Sequence, residues 1–208
     1  MKKPVEVFDD WARADKDKGM EKGHRASVDA MLKFALQDRN TPFRFIDAGC
    51  GNGWVKRLVE QNPNCSHAQG VDGAATMIRK AKSIDPKGDY TQADLLQWVP
   101  QRKADLVHAM EVAYYFEDPL LLIKHITEKW LLDGGRLIIG IDHYLENVPS
   151  LNWAQECGIS IMTTLPAAKW TQIFATAGLE GVQSWKVGQK EDWAGTLIIT
   201  GLKPASHD

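Results

Sequence analysis

The sequence predicts an α/β fold: a mostly parallel sheet of seven strands, helices on both faces, and an antiparallel hairpin at its C-terminal end. Three observations carry this. Short apolar runs of strand length alternate with segments of helical spacing, the signature of a parallel sheet joined by crossover helices. One such run, Phe45-Ile-Asp-Ala48, leads through a glycine-rich turn into a helical segment. The last two runs have only a loop between them, too short for a crossover helix, so they must be antiparallel.

Taken in order, residues 1–23 form an N-terminal arm in which Asp9 to Arg25 mixes both charge signs, and a solvated stretch is expected there. Trp11, Met20 and His24 are poorly explained by solvation, so the arm is expected to lie as a lid over the open strand ends. From His24 the spacing of Val28, Met31, Leu32, Ala35 and Leu36 predicts a helix with one buried face. Asn40-Thr41-Pro42 ends it, and Phe43 to Ala48 reads as a buried strand. Val55, Leu58 and Val59 begin the next helix. Further strands are expected at His67–Asp72, Asp89–Ala93, Ala104–Met110 and Arg136–Asp142, with helices at Ala74–Ile84 and Pro119–Leu131. Pro166 opens a helix whose inner face carries Trp170, Ile173, Phe174 and Ala177, and Gly178 stops it. Val182–Val187 and Thr196–Leu202 complete the sheet. The core domain thus runs from 24 to 203, with 204–208 as a tail.

Composition narrows the function classes. With 25 basic against 27 acidic residues the net charge is −2, which does not favour a nucleic-acid partner. No apolar run approaches membrane-spanning length, and the first residues carry no apolar leader, so a cytoplasmic protein is expected. Cys50, Cys65 and Cys157 are odd in number and never form CxxC. They read as reduced thiols, and no metal site is expected.

The strongest signal is FIDAGCGNGW, Phe45 to Trp54. Its glycines allow positive φ and close backbone approach to a ligand, and the helix that follows offers unpaired N–H groups. The turn lies beyond the C-terminal end of a parallel strand, where ligands bind in open α/β sheets. A dinucleotide fingerprint would read GxGxxG, but Gly49, Gly51 and Gly53 are followed by Trp54, which ranks an NAD-dependent oxidoreductase low. No GK[ST] follows, so a P-loop is excluded. Two more carboxylates stand at successive strand ends. Asp72 in GVDG can accept both hydroxyls of a ribose, and Asp94 in QADLLQW can accept from an adenine amine while Leu95 packs on the ring.

This combination resembles the class I S-adenosylmethionine-dependent methyltransferases, from about Arg25 to Lys203. The resemblance implies a Rossmann-like domain that binds S-adenosylmethionine and releases S-adenosylhomocysteine. It places Asp47, Gly49, Cys50, Gly51, Asn52 and Gly53 at the amino-acid end of the cofactor, Asp72 with Gly73 at the ribose, Asp94 and Leu95 at the adenine, and Met110 and Glu111 at the reactive centre. WLLDGGRLIIG, Trp130 to Gly140, looks like the entry to the family's fifth strand, with Asp133-Gly134-Gly135 as the turn. Archaeal-type members show pieces similar to FDDWA (Phe8 to Ala12), GMEKGH (Gly19 to His24), MEVAYYFEDP (Met110 to Pro119) and HYLEN (His143 to Asn147). Some members of that group work with a small zinc-binding activator protein, docked on a sheet edge.

Methyl transfer from a sulfonium mainly needs orientation and a dry pocket, with a base only where the acceptor must lose a proton. Glu111, Tyr115 and His143 are the expected catalytic residues, and Trp11, His24, Tyr114, Tyr115, His143 and Tyr144 the expected acceptor pocket. The Met110-Glu111-Val112-Ala113 run lacks the [N/D]PP[Y/F] motif of enzymes that methylate exocyclic amines of bases, and it has no Pro-Cys pair for pyrimidine C5 chemistry. The leading expectation is a small-molecule acceptor. A protein or RNA acceptor reached with an activator partner, and a non-catalytic cofactor-binding module, stand as alternatives.

Overall fold

The computed structural model describes residues 1–37 and 39–205; Asp38 and residues 206–208, most of the expected tail, lie outside the described residues. Seven strands form one sheet in the order β3-β2-β1-β4-β5-β7-β6. They are β1 (Phe43–Ala48), β2 (Cys65–Asp72), β3 (Asp89–Gln92), β4 (Ala104–Met110), β5 (Leu131–Ile141), β6 (Glu180–Val187) and β7 (Thr196–Leu202). β1 to β5 pair in parallel, whereas β7 inserts antiparallel between β5 and β6.

The period-2 alternation of each strand decides which helices it meets. Phe43, Phe45, Leu106 and Ile138 face α2 (Met20–Leu36) and α3 (Trp54–Glu60), packing on Val28, Met31, Leu32 and Val55. Ile46, Val107, Ala109, Leu137 and Ile139 point the other way, onto α5 (Pro119–His125) and α7 (Ala167–Thr176) through Leu122, Ile123, Trp170 and Phe174. The remaining helices are α1 (Pro4–Arg13), α4 (Ala75–Ile84) and the single turn α6 (Trp153–Glu156).

The N-terminal segment departs from the solvated arm expected of it. Pro4, Val7, Phe8, Trp11 and Ala12 repeat at i, i+3, i+4, i+7 and i+8, and they form the inner stripe of α1. Pro4 occupies the first turn, and the Glu6 carboxylate accepts the Lys3 N–H at 2.9 Å. The chain is pinned before the helix as well, where Lys2 exchanges backbone hydrogen bonds of 2.8 Å with Gly158 and Ser160. α2 begins at Met20 rather than His24.

Two other boundaries shift for local reasons. The helix from Pro119 ends at His125 and widens into a π-type turn over Ile126–Trp130, where the Thr127 hydroxyl donates to the Ile123 carbonyl. β5 starts at Leu131 rather than Arg136. The Asp133-Gly134-Gly135 segment lies at a register irregularity inside the strand, where a Cβ on Gly135 would press on the Leu132 and Ala104 carbonyls.

Candidate active site

The C-terminal ends of β1 to β4, together with α1 and α2, enclose a cavity of about 1000 Å³. One half is built from the glycine turn and the ends of β2 and β3. Gly49 has φ +71°, and a side chain there would run into Val112, so only glycine lets β1 turn against the loop after β4. Gly53 has φ +80° and starts α3 beside the Tyr90 ring; it does not itself line the cavity. The buried Cys50 lines the wall, and burial pushes its thiol well up, so it stays an uncharged packing group.

Asp72 ties this half together. One carboxylate oxygen accepts the Gly51 N–H at 2.8 Å, and the other accepts the Ala74 N–H at 2.7 Å. Burial raises its pKa to about 6 against the opposing pull of those two donors. Gly73, Leu95 and the exposed Asp94 follow along the same wall; one Asp94 oxygen accepts the Leu96 N–H at 2.9 Å.

Sequence reasoning missed a partner of Asp47. His108 stands opposite Asp47 in the β1–β4 register, on the same face, and His108 Nδ1 lies 2.8 Å from Asp47 Oδ1. Both are buried, both line the cavity, and Asp47 Oδ2 and His108 Nε2 have no partner among the described residues. Asn52 Oδ1 is likewise unpaired, while its amide donates to Asp17 at 3.1 Å. Asp17, between α1 and α2, also holds Lys80 of α4 at 2.6 Å. The Asp9 carboxylate accepts the Thr76 N–H at the start of α4 at 2.7 Å. The arm is thereby stitched to the glycine turn and to α4. A polar residue alternating into an otherwise apolar strand, as in ADLVHAM, was the available signal for His108.

The other half follows β4. Glu111 adopts φ +60°, a conformation unfavourable for a side chain with Cβ, held by its N–H to Gly140 at 2.9 Å. Its carboxyl accepts from the Asp142 N–H and from the Tyr114 hydroxyl, both at 2.5 Å. Burial, reinforced by Asp142, pushes the Glu111 pKa well above the usual carboxylate range. Tyr115 Oη lies 3.3 Å from Tyr114 Oη, so the two hydroxyls and the Glu111 carboxyl form one hydrogen-bonded line. Burial raises the pKa of both tyrosines. Trp11, His24, Met110, Tyr114 and Tyr115 all line the cavity.

His143 and Tyr144 are not brought there. The fully buried His143 has Nδ1 3.0 Å from the Ser150 carbonyl and Nε2 2.7 Å from the Thr164 hydroxyl. A carbonyl only accepts, so Nδ1 carries the proton and Nε2 accepts from Thr164; burial lowers the pKa against the opposing pull of the Ser150 carbonyl. The Tyr144 hydroxyl donates to the Gly195 carbonyl at 2.9 Å, and burial pushes its pKa up to about 12. Past β5 it is Asp142, not these two, that reaches Glu111.

A family model described as a methyltransferase domain matches residues 20–184. The chain belongs to that methyltransferase family. Fold and family together make it a class I S-adenosylmethionine-dependent methyltransferase. Trans-aconitate 2-methyltransferase of Azoarcus sp. (strain BH72) is 28% identical over 194 residues, covering 86% of this chain and 75% of that one. The enzyme of the same name from Agrobacterium fabrum is 27% identical, and the match spans 48% of its length. Among solved structures, the complex between the Haloferax volcanii Trm112 methyltransferase activator and a protein assigned as a methyltransferase matches with TM-score 0.77 and 25% identity, covering 95% and 97% of the two chains. The N-methyltransferase NodS of Bradyrhizobium japonicum, in complex with S-adenosylhomocysteine, matches in fold with TM-score 0.64 at 20% identity, covering 86% and 87%.

The cavity fits the methyltransferase's cofactor on its own evidence. Its unpaired buried acceptors, Asp47 Oδ2, His108 Nε2 and Asn52 Oδ1, are what the ammonium of an amino acid requires. A side chain on Gly73 would press on Val5, so that stretch of wall is kept slim between β2 and α1.

Proposed function

We propose that this methyltransferase acts on a small-molecule acceptor held in the half of the cavity beyond β4. The observation that carries the reading is the two-part cavity: a glycine-and-carboxylate half at β1 to β3, continuous with an aromatic half under α1. In this reading Asp47, His108 and the Gly49–Gly53 turn hold the amino-acid end of S-adenosylmethionine, Asp72 the ribose hydroxyls, and Asp94 with Leu95 the adenine. When bound, the cofactor supplies an electrophilic methyl group for in-line displacement, with S-adenosylhomocysteine as the product. The residues of the chain orient and dehydrate. α1 covers the cavity with Val5, Phe8 and Trp11, so the arm acts as its roof and excludes water. The Tyr115–Tyr114–Glu111 line leads to a buried carboxyl of raised basicity, which takes up the acceptor proton when it is ionised.

Calorimetry with S-adenosylhomocysteine and NAD tests the cofactor assignment. Binding of the first and not the second is expected, and the reverse sinks it. The name of the curated relatives accords with a small acceptor. The Haloferax structure favours a second reading, a protein or RNA methyltransferase completed by a small zinc-binding activator, for which the short edge strand β3 offers a free side. S-adenosylhomocysteine affinity that appears only when Trm112 is added would support that reading over the first.

A further inference from the structure

The half of the cavity proposed for the acceptor has a chemical character that the name of the curated trans-aconitate relatives does not suggest. Its wall is a run of touching rings. Phe8 meets Trp11 with centroids 5.4 Å apart and Tyr115 at 5.1 Å, and Tyr115 meets Tyr114 at 4.4 Å. The run ends on the Glu111 carboxyl, with Asp142 directly behind it. Among the described residues lining the cavity, the basic side chains are Lys3, His24 and His108. Lys3 is exposed at the rim, and His108 belongs to the Asp47 pair. His24 lies 3.8 Å from Asp142, and burial outweighs that carboxylate in lowering its pKa, so it is uncharged at neutral pH. The mouth adds exposed Glu117, Asp118 and Glu156.

We infer that the acceptor is an amine carried on an apolar or aromatic body, and that polycarboxylates such as trans-aconitate are refused. This rests on the methyltransferase reading of the same cavity. An anion entering here loses its water and meets ring faces and carboxyls, with no buried positive charge to replace hydration. An ammonium meets the negative faces of Trp11, Phe8 and Tyr115 and allows the Glu111 carboxyl to ionise against it. The aromatic body then replaces water along the wall.

The test uses the full chain saturated with S-adenosylhomocysteine, titrated in a calorimeter with phenethylamine, tryptamine and trans-aconitate. Binding of at least one amine and none of trans-aconitate is expected. Trp11→Lys places a cation in the ring wall and should weaken the amine about tenfold or more, with retained S-adenosylhomocysteine binding reporting an intact fold. Glu111→Gln should weaken it to a similar degree. Binding or methylation of trans-aconitate, or silence from both amines while S-adenosylhomocysteine binds, overturns the inference and leaves the methyltransferase reading standing. Failure of S-adenosylhomocysteine itself to bind overturns both.

Discussion

The two halves of the cavity are built on different principles. The half proposed for the cofactor is mostly main chain: a glycine turn, N–H groups, and an Asp72 carboxylate that braces that turn against the start of α4. Its glycine turn is one contiguous segment, and its carboxylates each stand at or just past the end of their own strand. The half proposed for the acceptor is assembled from side chains far apart in sequence. Phe8 and Trp11 come from α1, Tyr114, Tyr115 and Glu111 from the segment after β4, and Asp142 from the end of β5. It also holds the strained backbone of Glu111, which the cofactor half avoids by using glycine. A half made of backbone suits a ligand that does not vary, whereas a half made of side chains can be respecified without disturbing the fold.

The contrast is most exposed at Glu111. Glu111→Gln keeps an acceptor for the Asp142 N–H but removes the base, so turnover with a protonated acceptor is expected to fall about 10²–10⁴-fold. The check is kcat alongside S-adenosylhomocysteine affinity. A fall in affinity as large as the fall in kcat would show that the halves are not separable at this residue.

Removing residues 1–19 is the next largest effect. It deletes the roof, the Asp17 contacts to Asn52 and Lys80, and the Asp9 cap on α4. With charge-assisted bonds worth about 1.5–3 kcal/mol each, S-adenosylhomocysteine affinity should drop by at least about a hundredfold. Unchanged affinity in the truncated protein would reduce the arm to a tail.

Asp72 sets a pH dependence confined to the cofactor half. Its folded pKa is raised, to about 6, so its contribution to stability is complete below the unfolded value and is lost as pH rises through about 6. Ribose hydroxyls donate best to the ionised form. Cofactor affinity should therefore rise with pH up to about 6 by as much as about tenfold per unit and then level off. Asp72→Asn should flatten the profile while lowering affinity about tenfold; a profile that survives the substitution assigns it to another group.

The smallest effect on function is expected at His143. With both ring nitrogens bonded to Ser150 and Thr164, His143→Ala should cost about 1–3 kcal/mol of stability and leave kcat of the folded protein unchanged. Loss of kcat without a fall in thermal midpoint would return His143 to the chemistry.

The glycine-turn half of the cavity was partly legible in the chain because its central piece is local. A strand, a glycine turn and a helix are contiguous, and Asp47, Asp72 and Asp94 each announce a strand end by position alone. Asp72 as a brace was not legible, since its bond to Gly51 joins two strand ends that become neighbours only through the β1–β2 pairing. The helix α1 within the arm was not legible because the charge of Asp9 to Arg25 masked an apolar stripe that begins earlier, at Pro4. His143 and Tyr144 were expected in the pocket because they follow a strand end, yet which way a chain turns after β5 depends on packing against Ser150, Thr164 and Gly195.

Hydrophobic periodicity and glycine placement were enough to specify the α/β architecture, the hairpin at its end and the glycine turn that floors the cavity, because those features follow from backbone conformation over a few residues. The pairing of Asp47 with His108, the coupling of Glu111 to Asp142 and the contact of Phe8 of α1 with Tyr115 arose from strand register and side-chain burial. These join residues whose separation along the chain carries no energy of its own. Their interaction exists only once the sheet has brought them together and taken them out of water.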